Sequence, residues 1–248
     1  NVSLFFDNEN DKLYCYYADW DYYDFLVEID LEKKTVSNKK QNQNGSQIVG
    51  LSFMRTTQTP PEPEGVRTAY GIHYSAEVTD IVSFNANDVT EGTTHVAEYP
   101  LKGTPHAATY GKSAYYVVGQ GNDNKIHLYK TDNMTTGSEY TQVGDATIEL
   151  LVKDMAYNPY DNAIYAIADS SRVSENSILY TVDLTTGAFV RKQYCTGKYI
   201  ALAALKNGQL YAITAEGKFN KLYATSGQSK NIGSVDINTF STNFPCDL

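Results

Sequence analysis

Hydrophobic and polar positions alternate in short runs along the whole chain. One kind of run recurs five times, in which a small or aliphatic residue and a tyrosine open a segment of alternating apolar positions. The tyrosines that mark these runs are Tyr14, Tyr70, Tyr115, Tyr165 and Tyr211. Strict alternation predicts β-strands, and no segment keeps apolar residues at helical spacing over several turns. The sequence therefore predicts an all-β protein.

Each tyrosine run is expected to have three companion strands. An apolar strand precedes it, and turn residues such as 158–162 or Asn207-Gly208 separate the two. A third strand follows and ends in a turn, most clearly at 179–187, and a fourth strand such as 188–194 completes the unit. Each unit is thus predicted to be a four-stranded antiparallel meander.

The repeat distance identifies the architecture. Successive marker tyrosines are 45 to 56 residues apart, and this period with four strands per unit is typical of a β-propeller blade. Blades stacked around an axis bury both apolar faces of each meander. We expect one domain with blades at 1–47, 48–103, 104–151, 152–198 and 199–236. Residues 237–248 are expected to form a closing strand, or to begin a further blade of a larger propeller.

The second unit contains an insertion. Residues 59–65 hold three prolines in four positions, which excludes a strand there and predicts an exposed loop.

Part of the chain resembles a known group of repeats. The segments that carry the resemblance are 155–159, 164–167 and 179–187. They resemble the YncE-like and related lipoprotein propellers of Bacteroidetes cell envelopes, most closely in the fourth and fifth units. The resemblance implies a periplasmic or cell-surface location and the binding of glycans or partner proteins. It implies a fold and no particular activity.

Composition excludes several classes of function. The formal charge is −9, from 20 Lys and Arg against 29 Asp and Glu, and an acidic surface repels nucleic acid. No apolar run is long enough to span a membrane. No phosphate-binding or dinucleotide motif occurs, so no cofactor is expected.

The sequence has three cysteines, Cys15, Cys195 and Cys246, whose spacing matches no metal or redox motif. They are expected to be buried, with a Cys15–Cys246 disulfide bridge as the alternative.

Metal ligation is not expected either. Residues 7–11 offer alternating oxygens like the start of a calcium loop, but they lack its glycine and its distal glutamate. A hairpin turn explains this segment. The histidines show no ligand spacing and are expected to be structural or exposed: His73, His95, His106 and His127.

Ligands of a propeller are expected at the face where the inner strands begin, which we call the entry face. The loops that join second to third strands, and those that join one blade to the next, meet there.

The loop at 19–24 combines the single tryptophan with two tyrosines and three aspartates. Aromatic rings stack on sugars and carboxylates accept hydrogen bonds from hydroxyls, so this loop predicts a carbohydrate platform. The alternative is that its aromatic rings pack onto the neighbouring blade. The predicted ligand-binding residues are Asp19, Trp20, Tyr22, Tyr23, His106, Asn122, Asp123, Arg172 and Tyr199.

The sequence favours a non-enzymatic binding scaffold of the bacterial cell envelope, with a glycan or a surface protein as partner. One alternative is a propeller glycoside hydrolase or lyase, which needs two carboxyls about 5 to 9.5 Å apart. Its candidate carboxylates are Asp19, Glu77, Asp123 and Asp169. Another alternative is a purely structural domain of a longer protein.

Overall fold

The computed structural model describes residues 2–7, 10–18, 23–42, 47–53, 67–74, 78–134, 139–169 and 176–234. These residues form five four-stranded antiparallel sheets. The first sheet contains β1 (Val2–Asp7), β2 (Lys12–Ala18), β3 (Asp24–Asp30) and β4 (Thr35–Asn42). The second contains β5 (Gln47–Ser52), β6 (Thr68–Tyr74), β7 (Thr79–Asn85) and β8 (Thr94–Glu98). The third contains β9 (Lys102–Gly111), β10 (Ala114–Gln120), β11 (Ile126–Thr131) and β12 (Thr141–Gln142). The fourth contains β13 (Leu151–Asn158), β14 (Ala163–Asp169), β15 (Ile178–Val182) and β16 (Phe189–Tyr194). The fifth contains β17 (Tyr199–Ala204), β18 (Leu210–Thr214), β19 (Lys218–Leu222) and β20 (Ser229–Ser234).

The five sheets are arranged in a ring. The first strand of each sheet contacts the first strands of both neighbouring sheets, and β17 lies against β1 to close the circle. The fold is therefore a five-bladed β-propeller, as the sequence predicts. The predicted closing segment at 237–248 and the proline-rich insertion at 59–65 lie outside the described residues.

The core consists of five clusters of buried side chains, one between each pair of adjacent blades. The marker tyrosines pack in these clusters. Tyr14, Tyr70, Tyr165 and Tyr211 face the following blade. Tyr115 faces the preceding blade, and its neighbour Tyr116 faces the next one. Successive side chains on a strand point to opposite faces. In blade 3, Tyr116 therefore takes the place that the marker tyrosine has in the other blades.

Short polar side chains join the inner strands around the axis. Ser3 Oγ accepts the Leu51 N–H at 3.4 Å, and Thr109 Oγ1 accepts the Tyr157 N–H at 3.2 Å. In the fourth blade the place of Ser3 is taken by Asp154, whose Oδ2 accepts the N–H of residue 202 at 2.8 Å. The register of the strands makes Ser3 and Asp154 equivalent positions of the repeat, whereas Thr109 lies two residues farther along its strand. These bonds satisfy backbone donors that the sheets leave unpaired at the centre.

Glycines in the outer turns lock adjacent blades together. In the turn after β15, Asp183 Oδ1 accepts the Thr185 N–H at 2.8 Å, and Gly187 has a φ of +75°. A side chain at Gly187 would overlap the carbonyl oxygen of Val143 in the preceding blade. Gly227, with a φ of +69°, sits in the same way on the carbonyl of Tyr194. The turn motif of the repeat thus forms a close backbone contact between blades.

The cysteines that the structure describes are free thiols inside the core. Cys15 and Cys195 are buried, and Cys246 lies outside the described residues. Burial raises the pKa of the Cys195 thiol to about 11. Neither thiol is therefore reactive at neutral pH.

No helix long and apolar enough to cross a membrane occurs in the part of the chain that the structure describes.

Candidate functional site

The predicted ligand-binding residues are spread over the ring. Asp19, Trp20, Tyr22 and Arg172 lie outside the described residues. Tyr23 is half-exposed just before β3. Exposed Asn122 and Asp123 form the turn after β10. His106 is partly buried in β9, and Tyr199 is 1% exposed within the core between blades 4 and 5. The described members thus belong to three different blades, and the ring of Tyr199 serves the core.

Carboxylates at the entry face accept hydrogen bonds from side chains of their own blades. Asp24 accepts the Tyr16 hydroxyl at 2.9 Å, and Asp169 accepts the Ser177 hydroxyl at 2.9 Å. Glu216 accepts the Thr214 hydroxyl at 2.8 Å. Of the carboxylates considered for glycoside cleavage, Asp169 is thus buried in a structural bond, while Asp19 and Glu77 lie outside the described residues.

Histidines bind the corresponding carboxylates of blades 2 and 3. His73 Nδ1 lies 2.6 Å from one oxygen of Asp80, and His95 Nδ1 lies 2.8 Å from the other. His127 Nε2 lies 3.0 Å from Asp123 Oδ2, and its hydrogen bond lowers the pKa of that carboxyl. Among the described residues no group of three or more His, Cys, Asp or Glu side chains is arranged to hold a metal ion. These histidines pair with carboxylates of their own blades, and the sequence did not reveal these partners.

An opening lies at the other end of the axis, where the inner strands end, which we call the exit face. All five inner strands contribute to a hollow of about 150 Å³. We call it the central hollow. Its lining combines the polar residues Arg67 and Thr109 with apolar and aromatic side chains: Leu4, Phe5, Phe53, Tyr110, Met155 and Tyr157. The sequence prediction placed ligand binding at the entry face and did not anticipate this hollow.

A rigid aromatic and ionic wall forms one side of the central hollow. Arg67 donates from Nε and Nη2 to the two oxygens of buried Asp7, at 2.9 and 2.8 Å. The guanidinium also lies 4.7 Å from the ring centre of Phe53. Phe53 packs at 5.5 Å against Phe5, which stacks on Tyr14 at 5.4 Å. A bidentate pair held by ring contacts fixes this wall before any ligand arrives.

The opposite wall depends on Tyr157. Its ring covers Gly111, where a side chain would overlap the ring, and its hydroxyl donates to Asn162 at 3.0 Å. Burial raises the pKa of the neighbouring Tyr110, so this phenol is uncharged at neutral pH. The lining residues therefore offer apolar contact and hydrogen bonds, and Arg67 is already neutralised by Asp7. Such a lining suits binding better than proton transfer.

The similarity to known proteins lies in the fold. No protein-family model matches the chain, and no curated protein matches its sequence. The gluconolactonase XC5397 of Xanthomonas campestris is 10% identical, with a TM-score of 0.51 over 91% of this chain and 80% of that one. AofleA of Arthrobotrys oligospora is 12% identical, with a TM-score of 0.51 over 96% and 72%. YCF48 bound to a D1 peptide is 12% identical, with a TM-score of 0.44 over 92% and 67%.

The chain is a propeller of unassigned family. At these identities the comparisons show the fold alone, and they point to no family and no bacterial group. Binding proteins and enzymes share this fold, so the function of this propeller must be argued from its own residues.

One carboxylate reaches the axis itself. Asp154 is 4% exposed, and its Oδ1 accepts the Met155 N–H at 2.8 Å, in addition to the bond from Leu202. The backbone N–H of Leu4 is a third donor, so the carboxyl joins three inner strands. Burial raises its pKa well above the usual range, and the three donors partly oppose this shift. The signal in the sequence is an acidic residue within an apolar inner strand, which the repeat pattern alone did not single out.

The raised pKa of Asp154 predicts a pH-dependent contribution to stability. In the unfolded chain this carboxyl ionises at about pH 4. Its contribution to the free energy of unfolding is therefore complete below that pH and is lost as the pH rises through its folded-state pKa. The difference in free energy of unfolding between wild type and Asp154→Ala is therefore expected to be largest at about pH 4 and below, and to shrink as the pH rises above it. Urea unfolding at several pH values measures this difference. A difference that is constant with pH contradicts the prediction.

Proposed function

We propose that the protein is a non-enzymatic binding module that holds a partner protein at the central hollow. The observation that carries the proposal is the hollow of about 150 Å³ formed by all five inner strands and lined by aromatic rings. A cavity of about this size holds one benzene molecule. The hollow therefore fits one apolar side chain of a partner, such as leucine or phenylalanine.

The rigidity of the walls supports this proposal. Interfaces derive most of their binding energy from a few buried anchors that enter preformed, water-excluding pockets. Arg67 and Asp7 neutralise each other at the rim, so an apolar anchor meets no unpaired charge there. The net charge of −9 favours a partner that is neutral or basic around its anchor.

We also propose that the protein binds its partner at the bacterial cell envelope. This part of the proposal rests on the resemblance of residues 155–187 to secreted propellers. Fractionation of cells that make the native protein tests it, because recovery in the cytoplasmic fraction overturns the location without affecting the binding site.

Selection from a phage-displayed random peptide library tests the binding site. We expect the wild-type protein to enrich peptides with one large apolar or aromatic residue, because the central hollow accepts a single anchor. Phe53→Ala is expected to weaken binding of the enriched peptides by about 30-fold, which corresponds to the loss of about 2 kcal/mol at an anchor contact. Fluorescence polarisation measures the dissociation constants.

Tyr160→Ala is the matched control for Phe53→Ala. Tyr160 is an aromatic residue on the same face, in the turn after β13, and it is 75% exposed outside the hollow. Its removal is expected to leave peptide binding unchanged. If no peptide is enriched, or if both variants bind equally well after their folding is confirmed by circular dichroism, the proposal fails.

A further inference from the structure

A groove of about 210 Å³ lies between blades 1 and 2. It shares no lining residue with the central hollow. The polar side chains in its lining are those of Lys12, Glu28, Asn38, Lys40 and Asn87, and we call it the junction groove. It is thus a second, separate cavity with different chemistry.

The junction groove exists because blade 2 departs from the repeat. In blades 4 and 5 the outer turn ends in a glycine that contacts the preceding blade directly. The junction of blades 5 and 1 leaves an opening of only about 10 Å³. In blade 2 the outer turn contains a 3₁₀ helix, Val89–Glu91, that ends at Gly92, and Lys40 bridges the gap to this turn by donating to the Asn87 carbonyl. A departure from an otherwise regular repeat is where a functional site is expected.

Hydrogen bonds fix the polar wall of the junction groove. Glu28 Oε2 accepts from Lys12 Nζ at 3.1 Å and from Asn38 Nδ2 at 3.1 Å. A bulge between β3 and β4 leaves Asn38 with a φ of +53° and turns its amide toward Glu28. Bulges commonly re-aim a side chain in this way. The wall is therefore ordered without a ligand.

The charges of the junction groove balance. Lys12 is paired with Glu28, and Lys40 lies 3.6 Å from Asp88. Each ammonium has three N–H donors, while the carboxylates and amides supply acceptors. Donors and acceptors therefore alternate over a short distance without net charge. That pattern matches adjacent hydroxyl groups, each of which both donates and accepts.

We infer that the junction groove binds one neutral saccharide ring. A cavity of about 150 Å³ holds benzene, so about 210 Å³ accommodates a six-membered ring with several hydroxyl substituents. Tyr14 and Leu26 supply an apolar floor for the ring, and the polar wall serves its hydroxyls. The net charge of −9 disfavours an acidic sugar. This inference goes beyond the proposed function, because it concerns another site and another class of ligand.

Saturation-transfer NMR with single monosaccharides tests the inference. The probes are D-glucose, D-galactose, D-mannose and N-acetyl-D-glucosamine, with D-glucuronate as the acidic comparison. We expect the wild-type protein to bind at least one neutral sugar, and Lys12→Met to weaken that binding at least about ten-fold because it removes a hydrogen-bonding ammonium. Lys33→Met is the matched control, because Lys33 lies on the same blade, pairs with Asp30 and is outside the groove.

The outcomes separate the two sites. Loss of sugar binding in Lys12→Met, with binding kept in Lys33→Met and in Phe53→Ala, supports the inference whatever the peptide experiment shows. The absence of binding by every neutral sugar overturns it. Equal binding by Lys12→Met and wild type, or stronger binding of D-glucuronate than of any neutral sugar, also overturns it. Thermal melting of each variant confirms that it is folded at the temperature of the NMR experiment.

Discussion

At about pH 4, where the contribution of the carboxyl is largest, replacing Asp154 by alanine is expected to lower the free energy of unfolding by about 3 to 5 kcal/mol. The carboxyl accepts backbone N–H groups of Leu4, Met155 and Leu202, and it is almost completely buried. Its removal leaves three donors without partners at the centre of the ring. An unsatisfied buried donor costs about 1 to 3 kcal/mol, and the cavity left behind adds to this cost.

Urea unfolding followed by circular dichroism measures the effect. The control is Asp145→Ala, because Asp145 is exposed in the segment after β12. This control is expected to stay within about 0.5 kcal/mol of wild type. Asp154→Asn keeps one acceptor oxygen but presents an amide donor to the other N–H groups, so it should fall between wild type and alanine. An Asp154→Ala protein that unfolds at the wild-type urea concentration would show that the centre of the ring does not depend on this carboxyl.

The second large effect is expected from Gly187→Ala, at about 2 to 4 kcal/mol of lost stability. Its φ of +75° is unfavourable for alanine, and the added methyl group overlaps the Val143 carbonyl. The turn of blade 4 must therefore move away from blade 3. For a chain of this size the loss corresponds to a drop in melting temperature of about 5 to 10 °C.

Two other glycines make this prediction specific. Gly227→Ala repeats the test at the next junction, because Gly227 sits on the Tyr194 carbonyl with a φ of +69°. Gly233→Ala is the control, because nothing lies within 4 Å of the added methyl group. We expect the first to resemble Gly187→Ala and the second to melt near the wild-type temperature. Similar melting temperatures for all three variants would contradict a role of the turn glycines in joining blades.

The architecture could be predicted from the sequence because its determinants are local and repeated. Four of the five marker tyrosines, Tyr165 among them, recur at one strand position, and the turn at 183–187 has an Asp cap and a glycine of positive φ. Each of these features acts within a few residues of itself. Their regular spacing therefore indicates the strands, the turns and the number of blades.

The candidate sites could not be predicted in the same way, because their geometry depends on distant parts of the chain. The N–H groups that bind Asp154 belong to backbone up to 150 residues away, and backbone donors have no signature in the sequence. The central hollow needs all five inner strands, and Arg67 reaches Asp7 across 60 residues. The junction groove lies where blade 2 has the 3₁₀ helix Val89–Glu91 in its outer turn. A single unit does not reveal such a departure unless it is compared with its neighbours.

The contact of β17 with β1 has a consequence for how the molecule assembles. Every sheet is built from one continuous stretch of chain, so each can form from pairings that are close in sequence. Among the described residues, it is the seam between the last sheet and the first that brings together positions nearly 200 residues apart. Closing so long a loop costs conformational entropy, and this cost is offset only when the side chains of the last and first sheets pack together. We therefore expect the seam to be the last part of the ring to form during folding and the first to open under mechanical tension.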